Sequence, residues 1–221
     1  MHKQHTKAKN ISTLAIVAAL ALLAGATASW LFSQTNGSNN APTLKAATAL
    51  LEQARPLPSF SLVDQNGRQF GNEQLQGHWS FMFFGYTHCP DVCPTTLATL
   101  NDTLNAIAQN NDQRNTQVVF VSVDPERDSH KQLKSYIEYF NPEFIGLTGN
   151  PSELDGLASS LGILRAKVEN PADPANYLVD HSATVLLIGP EGQLVALFSA
   201  PHEAVTLADD FHNLRRYYEE G

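Results

Sequence analysis

The chain of 221 residues contains two cysteines, which lie four positions apart as Cys89 and Cys93. Three kinds of chemistry use such a pair. A structural disulfide would close only a small loop here, so it would constrain the unfolded chain weakly. Exchange with the disulfide of a partner is a second use. Metal binding is the third, because two thiolates suit Cu(I), and an added imidazole would also suit Cu(II) or Zn(II).

The cysteines lie where folds of alternating strands and helices carry their active groups. The apolar run WSFMFFGY, residues 79–86, has the length and composition of a strand buried on both faces. The segment CPTTLATLNDTLNAIAQ, residues 93–109, has apolar residues three and four positions apart and is predicted to be an amphipathic helix. Cys89 therefore follows the carboxyl end of a strand, where such sheets bind ligands. Both cysteines lie near a helix N-terminus, whose dipole favours the thiolate form.

One of the eight histidines is well placed to complete a metal site. His181 directly precedes the predicted strand SATVLLIG, and the start of that strand should lie beside the cysteine loop. His181 is therefore the favoured third ligand. His88 is the rival because it adjoins Cys89. Its side chain should point away from its neighbour's thiolate, so we expect it near the rim of the site.

Three acidic residues are candidates for supporting roles. Asp91, between the cysteines, could cap the helix or add negative field at the metal. Asp124 lies at the carboxyl end of the predicted strand TQVVFVSVD, where such sheets carry functional groups, and a cap or turn role before Pro125 is an equal alternative. Asp180 could orient the loop or the His181 ring. None is expected to be a direct ligand, because carboxylates are hard donors and Cu(I) is soft.

The remaining pattern predicts an α/β domain with a central mixed sheet flanked by helices. The segment SFSLVDQNGRQF is predicted to be an N-terminal β-hairpin, because Asn66-Gly67 supplies the positive φ angles of a tight turn. Strands and helices then alternate up to about residue 162, and a strand pair and a closing helix follow residue 182. This order implies a parallel core with antiparallel additions. A further short helix is predicted within Leu44–Arg55.

The N-terminal sequence predicts export. Residues 1–10 carry three lysines and no acid, and residues 11–32 are uncharged over a length that can span a bilayer as a helix. We therefore expect a cytoplasmic tail, a single transmembrane helix, a linker over residues 33–54 and an exported domain over residues 55–221. A cleaved signal peptide is the alternative, since Ala-Thr-Ala at residues 26–28 fits a cleavage pattern. Cysteines of an exported domain face an oxidising compartment.

The net charge excludes one class of partner. The formal charge of the chain is −8 at pH 7. Binding of nucleic acid requires a basic surface, so we expect no nucleic-acid partner.

Three segments of the sequence resemble the SCO/SenC family of copper-binding cytochrome c oxidase assembly proteins. They are GYTHCPDVCPTTL, VSVDPERD and YLVDHSATVLLIGPEG, and the similarity covers about residues 79–198. The resemblance implies a thioredoxin-like fold after one N-terminal membrane anchor, in the inner membrane with the domain facing the periplasm. It also implies copper, as Cu(I), Cu(II) or both, on Cys89, Cys93 and His181.

The function implied by the resemblance is a metallochaperone rather than an enzyme. It would deliver copper to the binuclear copper site of cytochrome c oxidase subunit II. The alternative is a thiol-disulfide oxidoreductase that keeps the copper-ligand cysteines of the partner reduced, with Cys89 and Cys93 cycling through a disulfide. Another periplasmic copper chaperone or a thioredoxin-like reductant is a further expected partner.

One departure from thioredoxin enzymes favours metal binding. Those enzymes have a proline before the strand that abuts the active cysteines. This chain has Val-Asp-His-Ser there, at residues 179–182. The sequence therefore favours ligation over general disulfide exchange, without excluding exchange with one dedicated partner.

Overall fold

A computed structural model of the chain describes residues 16–23, 25–27, 29, 41–50, 53–109, 115–173 and 176–220. The chain divides into two compact units, and the boundary in the sequence lies between Asn40 and Ala41. The linker predicted for residues 33–54 therefore overlaps the second unit. The described residues between 16 and 29 are helical. Over the described part of the chain, we find no helix with the length and apolar character needed to cross a membrane. Much of the transmembrane segment predicted at residues 11–32 lies outside the described residues.

The second unit is built from eleven short strands and four helices among its described residues. The strands are β1 Ala47–Ala49, β2 Arg55–Pro56, β3 Ser61–Asp64, β4 Gln69–Gly71, β5 Trp79–Gly85, β6 Thr116–Ser122, β7 Ile145–Thr148, β8 Arg165–Val168, β9 Leu178–His181, β10 Val185–Ile188 and β11 Gln193–Phe198. The helices are α1 Val92–Gln109, α2 His130–Phe140, α3 Pro151–Ser160 and α4 Ala204–Glu220, and a 3-10 turn spans Asn72–Leu75.

Nine of the strands form one mixed sheet. Their order is β1-β11-β10-β5-β6-β7-β3-β4, and β2 pairs with β11 beside β1. The strands β5, β6 and β7 are parallel, and the other pairings are antiparallel. The predicted α/β mixed sheet with its hairpin is confirmed. The strands β8 and β9 form a separate two-stranded ribbon, which the sequence did not predict.

The core lies on both faces of the central strands. Every residue of β5 and β10 is buried, as continuous apolar runs in a covered sheet should be. The apolar face of α1 is buried through Leu97, Leu100 and Ile107. On β5, the Phe81 ring lies 5.4 Å from the α4 residue Phe211. Cys93, in the first turn of α1, also belongs to this buried core, so the start of the helix is held at the carboxyl end of β5.

The helix predicted within Leu44–Arg55 is wrong at Ala47–Ala49, which form the strand β1 along β11. The buried carboxylate of Asp210 explains the difference. Its two oxygens accept three backbone N–H groups, from residues 45–47, each at 2.8 Å. These bonds and the pairing with β11 outweigh the helix preference of alanine and leucine, which is a weak local effect.

We expect Asp210→Ala to lower the free energy of unfolding by about 3 kcal/mol or more. Three donors would lose a charged acceptor inside the protein, and each such bond contributes about 1.5–3 kcal/mol. Urea unfolding of the purified protein measures the change. The matched control is Asp209→Ala, whose carboxylate forms an exposed ion pair with Lys45. That pair should be worth less than about 1 kcal/mol. Equal losses in the two variants would contradict this account.

Candidate metal centre

Three soft ligands come together at the carboxyl end of β5. Cys89 lies in the loop after β5, Cys93 lies in the first turn of α1, and His181 is the last residue of β9. One ligand atom from each of the three lies within 4.8 Å of the others, and both cysteines are free thiols. Cys93 Sγ is 3.2 Å from His181 Nε2, and the Cys93 N–H donates to Cys89 Sγ at 3.4 Å. The three residues predicted as ligands therefore meet at one point.

The cluster is open on one side. Cys93 is fully buried, whereas Cys89 and His181 are half-buried. A cavity of about 240 Å³ adjoins the cluster, and its wall includes Pro90, Val92 and Leu178. A metal ion bound here would rest on the buried Cys93 sulfur and remain reachable through Cys89 and His181.

The His181 ring is fixed by two aromatic neighbours and one carbonyl. The rings of Phe83 and Tyr86 contact it edge-on, with centroids at 6.0 and 5.9 Å. His181 Nδ1 lies 3.2 Å from the backbone oxygen of Ser182. When a metal binds, a proton on Nδ1 that bonds to that oxygen would leave the Nε2 lone pair free for the metal. The carbonyl of Ser182, rather than the exposed Asp180, is thus the group that orients the ring.

The pKa values of the two thiols are shifted in opposite directions. A hydrogen bond from the Cys93 thiol lowers the pKa of Cys89 to about 4, although burial acts in the opposite direction. The His181 ring and the N–H groups of Asp91 and Cys93 lower this pKa further. The same hydrogen bond and burial raise the pKa of Cys93. At neutral pH the site therefore holds a thiolate at Cys89 and a thiol at Cys93.

The acidic candidates lie around the cluster rather than within it. Asp91 lines the mouth of the cavity, and its carbonyl accepts the Thr95 N–H at 3.2 Å. The buried Asp124 carboxylate accepts hydrogen bonds from Arg127 Nε and, at 2.7 Å, from the Tyr177 hydroxyl. Its carbonyl accepts the Asp128 N–H at 2.9 Å.

His88 lies at the rim. Its side chain is 47% exposed, and its Nδ1 lies 3.1 Å from the Thr87 hydroxyl. It is absent from the ligand cluster found among the described residues.

Asp128 is a buried acid that sequence reasoning missed. Its carboxylate accepts the Thr87 hydroxyl at 2.7 Å and the Ser122 hydroxyl at 2.6 Å. Burial raises the pKa of Asp128. These bonds fix the cysteine loop two residues before Cys89. No local signal marks this role, because Thr87 and Asp128 are 41 positions apart.

A glycine makes the approach of Cys93 to the sheet possible. A Cβ on Gly85 would lie 2.8 Å from Cys93 Sγ and 2.8 Å from Phe120 Cε2. Real Cβ atoms do not come so close to other heavy atoms, so a larger residue would displace the cysteine or the ring. The last position of β5 therefore has to lack a side chain for Cys93 to sit against the strand.

Comparison with protein families matches residues 48–216 to SCO1/SenC. The chain belongs to the SCO1/SenC family. The matched residues include both cysteines and His181. One relative, a SCO2-like protein of Rickettsia prowazekii, is 37% identical over 154 residues, which cover 70% of this chain and 74% of the relative.

Solved SCO structures share the fold described above. The structure of Arabidopsis thaliana ScoI with copper bound is 36% identical, covers 74% of this chain and 100% of that chain, and has a TM-score of 0.69. The structure of Bradyrhizobium japonicum ScoI with copper bound is also 36% identical, with coverages of 74% and 99% and a TM-score of 0.65. The mixed sheet and its helices are therefore the thioredoxin-like fold of SCO proteins.

Proposed function

We propose that this chain is a copper metallochaperone that uses Cys89, Cys93 and His181 as ligands. It delivers copper to the binuclear site of cytochrome c oxidase subunit II. The observation that carries the proposal is the convergence of two sulfurs and one imidazole nitrogen within 4.8 Å. Thiolates select Cu(I), and the added imidazole also suits Cu(II). The two solved ScoI relatives with copper bound support the choice of metal.

The geometry suits transfer better than storage. Three protein ligands leave room at copper for a ligand from an incoming partner, and the cavity beside Cys89 gives that partner access. Loading requires Cys93 to lose its proton, so copper binding releases a proton and strengthens as pH rises. Formation of a Cys89–Cys93 disulfide would remove both sulfur ligands, which links copper loading to the redox state of the pair.

The proposed location is the periplasmic side of the inner membrane. Residues 11–32 would anchor the chain, because they are uncharged and follow three lysines. Copper would come from another periplasmic chaperone.

A thiol-disulfide oxidoreductase is the second candidate. The observation that favours it is the inequality of the thiols. Cys89 is the more exposed thiol and has a lowered pKa, as an attacking thiolate should. Cys93, close behind it, would resolve the mixed disulfide. Such an enzyme would keep the cysteines of subunit II reduced, with a thioredoxin-like protein restoring its own pair.

His181→Ala distinguishes the two functions. We expect the variant to lose cytochrome c oxidase assembly, because imidazole is a copper ligand and takes no part in the covalent exchange of sulfurs. Its affinity for Cu(II) should fall about a hundredfold, or about 2.8 kcal/mol. Cu(I) should be affected less, since two thiolates hold it alone. Oxidase activity of the membrane fraction is measured beside a thiol-trapping gel of the variant.

His88→Ala is the matched control for this experiment. It removes an imidazole from the rim of the same site without touching the ligand cluster. We expect it to retain oxidase assembly. Normal assembly in the His181→Ala strain would reject copper delivery through this site and leave thiol exchange as the better account.

A further inference from the structure

The ribbon that carries His181 stands apart from the main sheet. The strands β8 and β9 pair with each other, from Arg165 against His181 to Val168 against Leu178, and with no other described strand. A two-stranded ribbon is marginally stable on its own in water. The position of His181 therefore depends on the side chains that hold this ribbon against the rest of the domain.

Arg127 makes one set of these contacts, beside Arg165, whose Nη1 donates to the backbone oxygen of Val123 at 2.8 Å. Arg127 Nη1 donates to the backbone oxygen of Tyr177 at 2.9 Å, directly before β9. The guanidinium carbon lies 3.5 Å from the centroid of the Tyr177 ring. Asp124 completes the arrangement, because it accepts from both Arg127 Nε and the Tyr177 hydroxyl. Tyr177, the residue directly before the ribbon strand β9, is thus fixed at its carbonyl, its ring and its hydroxyl.

Tyr86 extends this contact to the ligands. Its hydroxyl accepts the Val179 N–H at 3.2 Å, and its ring packs edge-on against His181. The Arg127 guanidinium carbon is 5.6 Å from the centroid of the same ring. Tyr86 also accepts the Cys89 N–H at 3.2 Å, so it belongs to the cysteine loop. Arg127 therefore lies between the cysteine loop and the ribbon and contacts both.

We infer that Arg127 is a positioning residue for the imidazole ligand. It holds β9 through Tyr177 and Tyr86 so that His181 Nε2 faces Cys93 Sγ before copper arrives. Arg127 is not part of the ligand cluster. The inference rests on the proposed copper site. It adds that a residue outside the ligand set determines whether copper receives two ligands or three.

The chemistry of arginine fits this role better than that of lysine. A planar guanidinium can stack on a ring and donate along its edge at the same time, whereas an ammonium is a point charge. Arg127 Nη2 is buried and has no hydrogen-bond partner among the described residues. Part of the cost of burying this cation therefore remains uncompensated. Its partner Asp124 is also buried, so replacement of Arg127 alone leaves an unpaired carboxylate and lowers the stability of the fold.

The test compares Arg127→Met, Arg127→Lys and the control Arg68→Met, in which an exposed arginine of the β3–β4 turn is replaced. We expect Arg127→Met to weaken Cu(II) binding about tenfold to a hundredfold, as loss of a group that orients a ligand does. Cu(I) binding should change by less than about threefold, because both thiolates remain. The Cu(II) affinity of Arg127→Lys should fall between those of Arg127→Met and the wild type. This variant keeps the positive charge, so it still tests the inference if Arg127→Met folds poorly. Arg68→Met should match the wild type.

Two further measurements separate positioning from general support. In the copper-free protein, amide hydrogen exchange of the peptide covering residues 177–182 should be faster in Arg127→Met, while peptides of β5 and β6 stay unchanged. In a His181→Ala background, Arg127→Met should cause no further loss of Cu(II) affinity.

Each outcome has a distinct meaning. An equal loss of affinity with and without His181, or wild-type affinity and exchange in Arg127→Met, would overturn the positioning role while leaving the copper site intact. Wild-type Cu(II) affinity in His181→Ala alone would instead reject the copper site itself.

Discussion

Cys93→Ser should abolish tight copper binding and leave the fold in place. A serine hydroxyl stays neutral at physiological pH and cannot replace a thiolate as a soft ligand. We expect the affinity for Cu(I) to fall on the order of 10⁴-fold, about 5.6 kcal/mol. Serine is close to cysteine in size, and its hydroxyl can still bond to Cys89 Sγ. Competition of the reduced protein with a chelator of known affinity measures the change.

Cys89→Ser and Thr96→Ser complete this experiment. Cys89→Ser should lose Cu(I) to a similar extent, because one sulfur and one imidazole remain in either variant. Thr96 is buried on the same helix one turn further along and is no ligand. Thr96→Ser should therefore bind copper like the wild type. If both cysteine variants bound one Cu(I) with unchanged affinity, the metal would have to lie elsewhere in the chain.

The main elements of the domain could be predicted because each has a strong local pattern. The apolar run of β5 and the spaced leucines of α1 place Cys89 and Cys93 without reference to the rest of the chain. The prediction that His181 lies beside the cysteines required one further inference, namely that β10 begins next to the cysteine loop. Its antiparallel pairing with β5, from Val185 against Phe83 to Ile188 against Ser80, supports that inference.

The ribbon could not be predicted in this way. The segments 165–168 and 178–181 are short and mostly exposed or half-buried. Only the first alternates polar and apolar residues, and its apolar residues Ala166 and Val168 are exposed, so burial does not explain the pattern. The pairing of the two segments is fixed by contacts with distant residues, such as Arg127 against Tyr177. The same holds for β1, where the buried acceptor Asp210 lies more than 160 positions away.

The groups that support the ligands could not be predicted from the sequence either. Adjacency in sequence suggested that Asp180 orients the His181 ring, yet the nearest acceptor is the backbone oxygen of Ser182. A carbonyl has no signature in the sequence, since every residue supplies one. Asp124 was expected near the site, but the sequence did not indicate that Arg127 and Tyr177 would share its carboxylate.

A second large expected effect follows from the different pKa values of the two thiols. In the reduced, copper-free protein, iodoacetamide should label Cys89 at a rate that changes less than about threefold between pH 5.5 and 8.5. A lowered pKa means that the thiolate is present above about pH 4 and is lost only below it. The labelling rate of an ordinary cysteine, with a pKa near 8.5, would fall several hundredfold from pH 8.5 to pH 5.5. Cys93 should stay unlabelled, because it is buried and its pKa is raised. Mass spectrometry of the two cysteine peptides measures both rates.

Two variants of Cys93 identify the cause of this low pKa. The largest contribution is the hydrogen bond that the Cys93 thiol donates to Cys89. Cys93→Ser keeps a donor at that position, so labelling of Cys89 should remain fast at pH 5.5. Cys93→Ala removes the donor, and labelling at pH 5.5 should slow while labelling at pH 8.5 stays the same. If Cys89 were labelled at pH 5.5 as fast in Cys93→Ala as in Cys93→Ser, the low pKa would be due to the backbone N–H groups, the His181 ring and the helix N-terminus instead. A several-hundredfold decrease in the wild type would show that Cys89 is an ordinary thiol and would contradict the preformed thiolate at the mouth of the site.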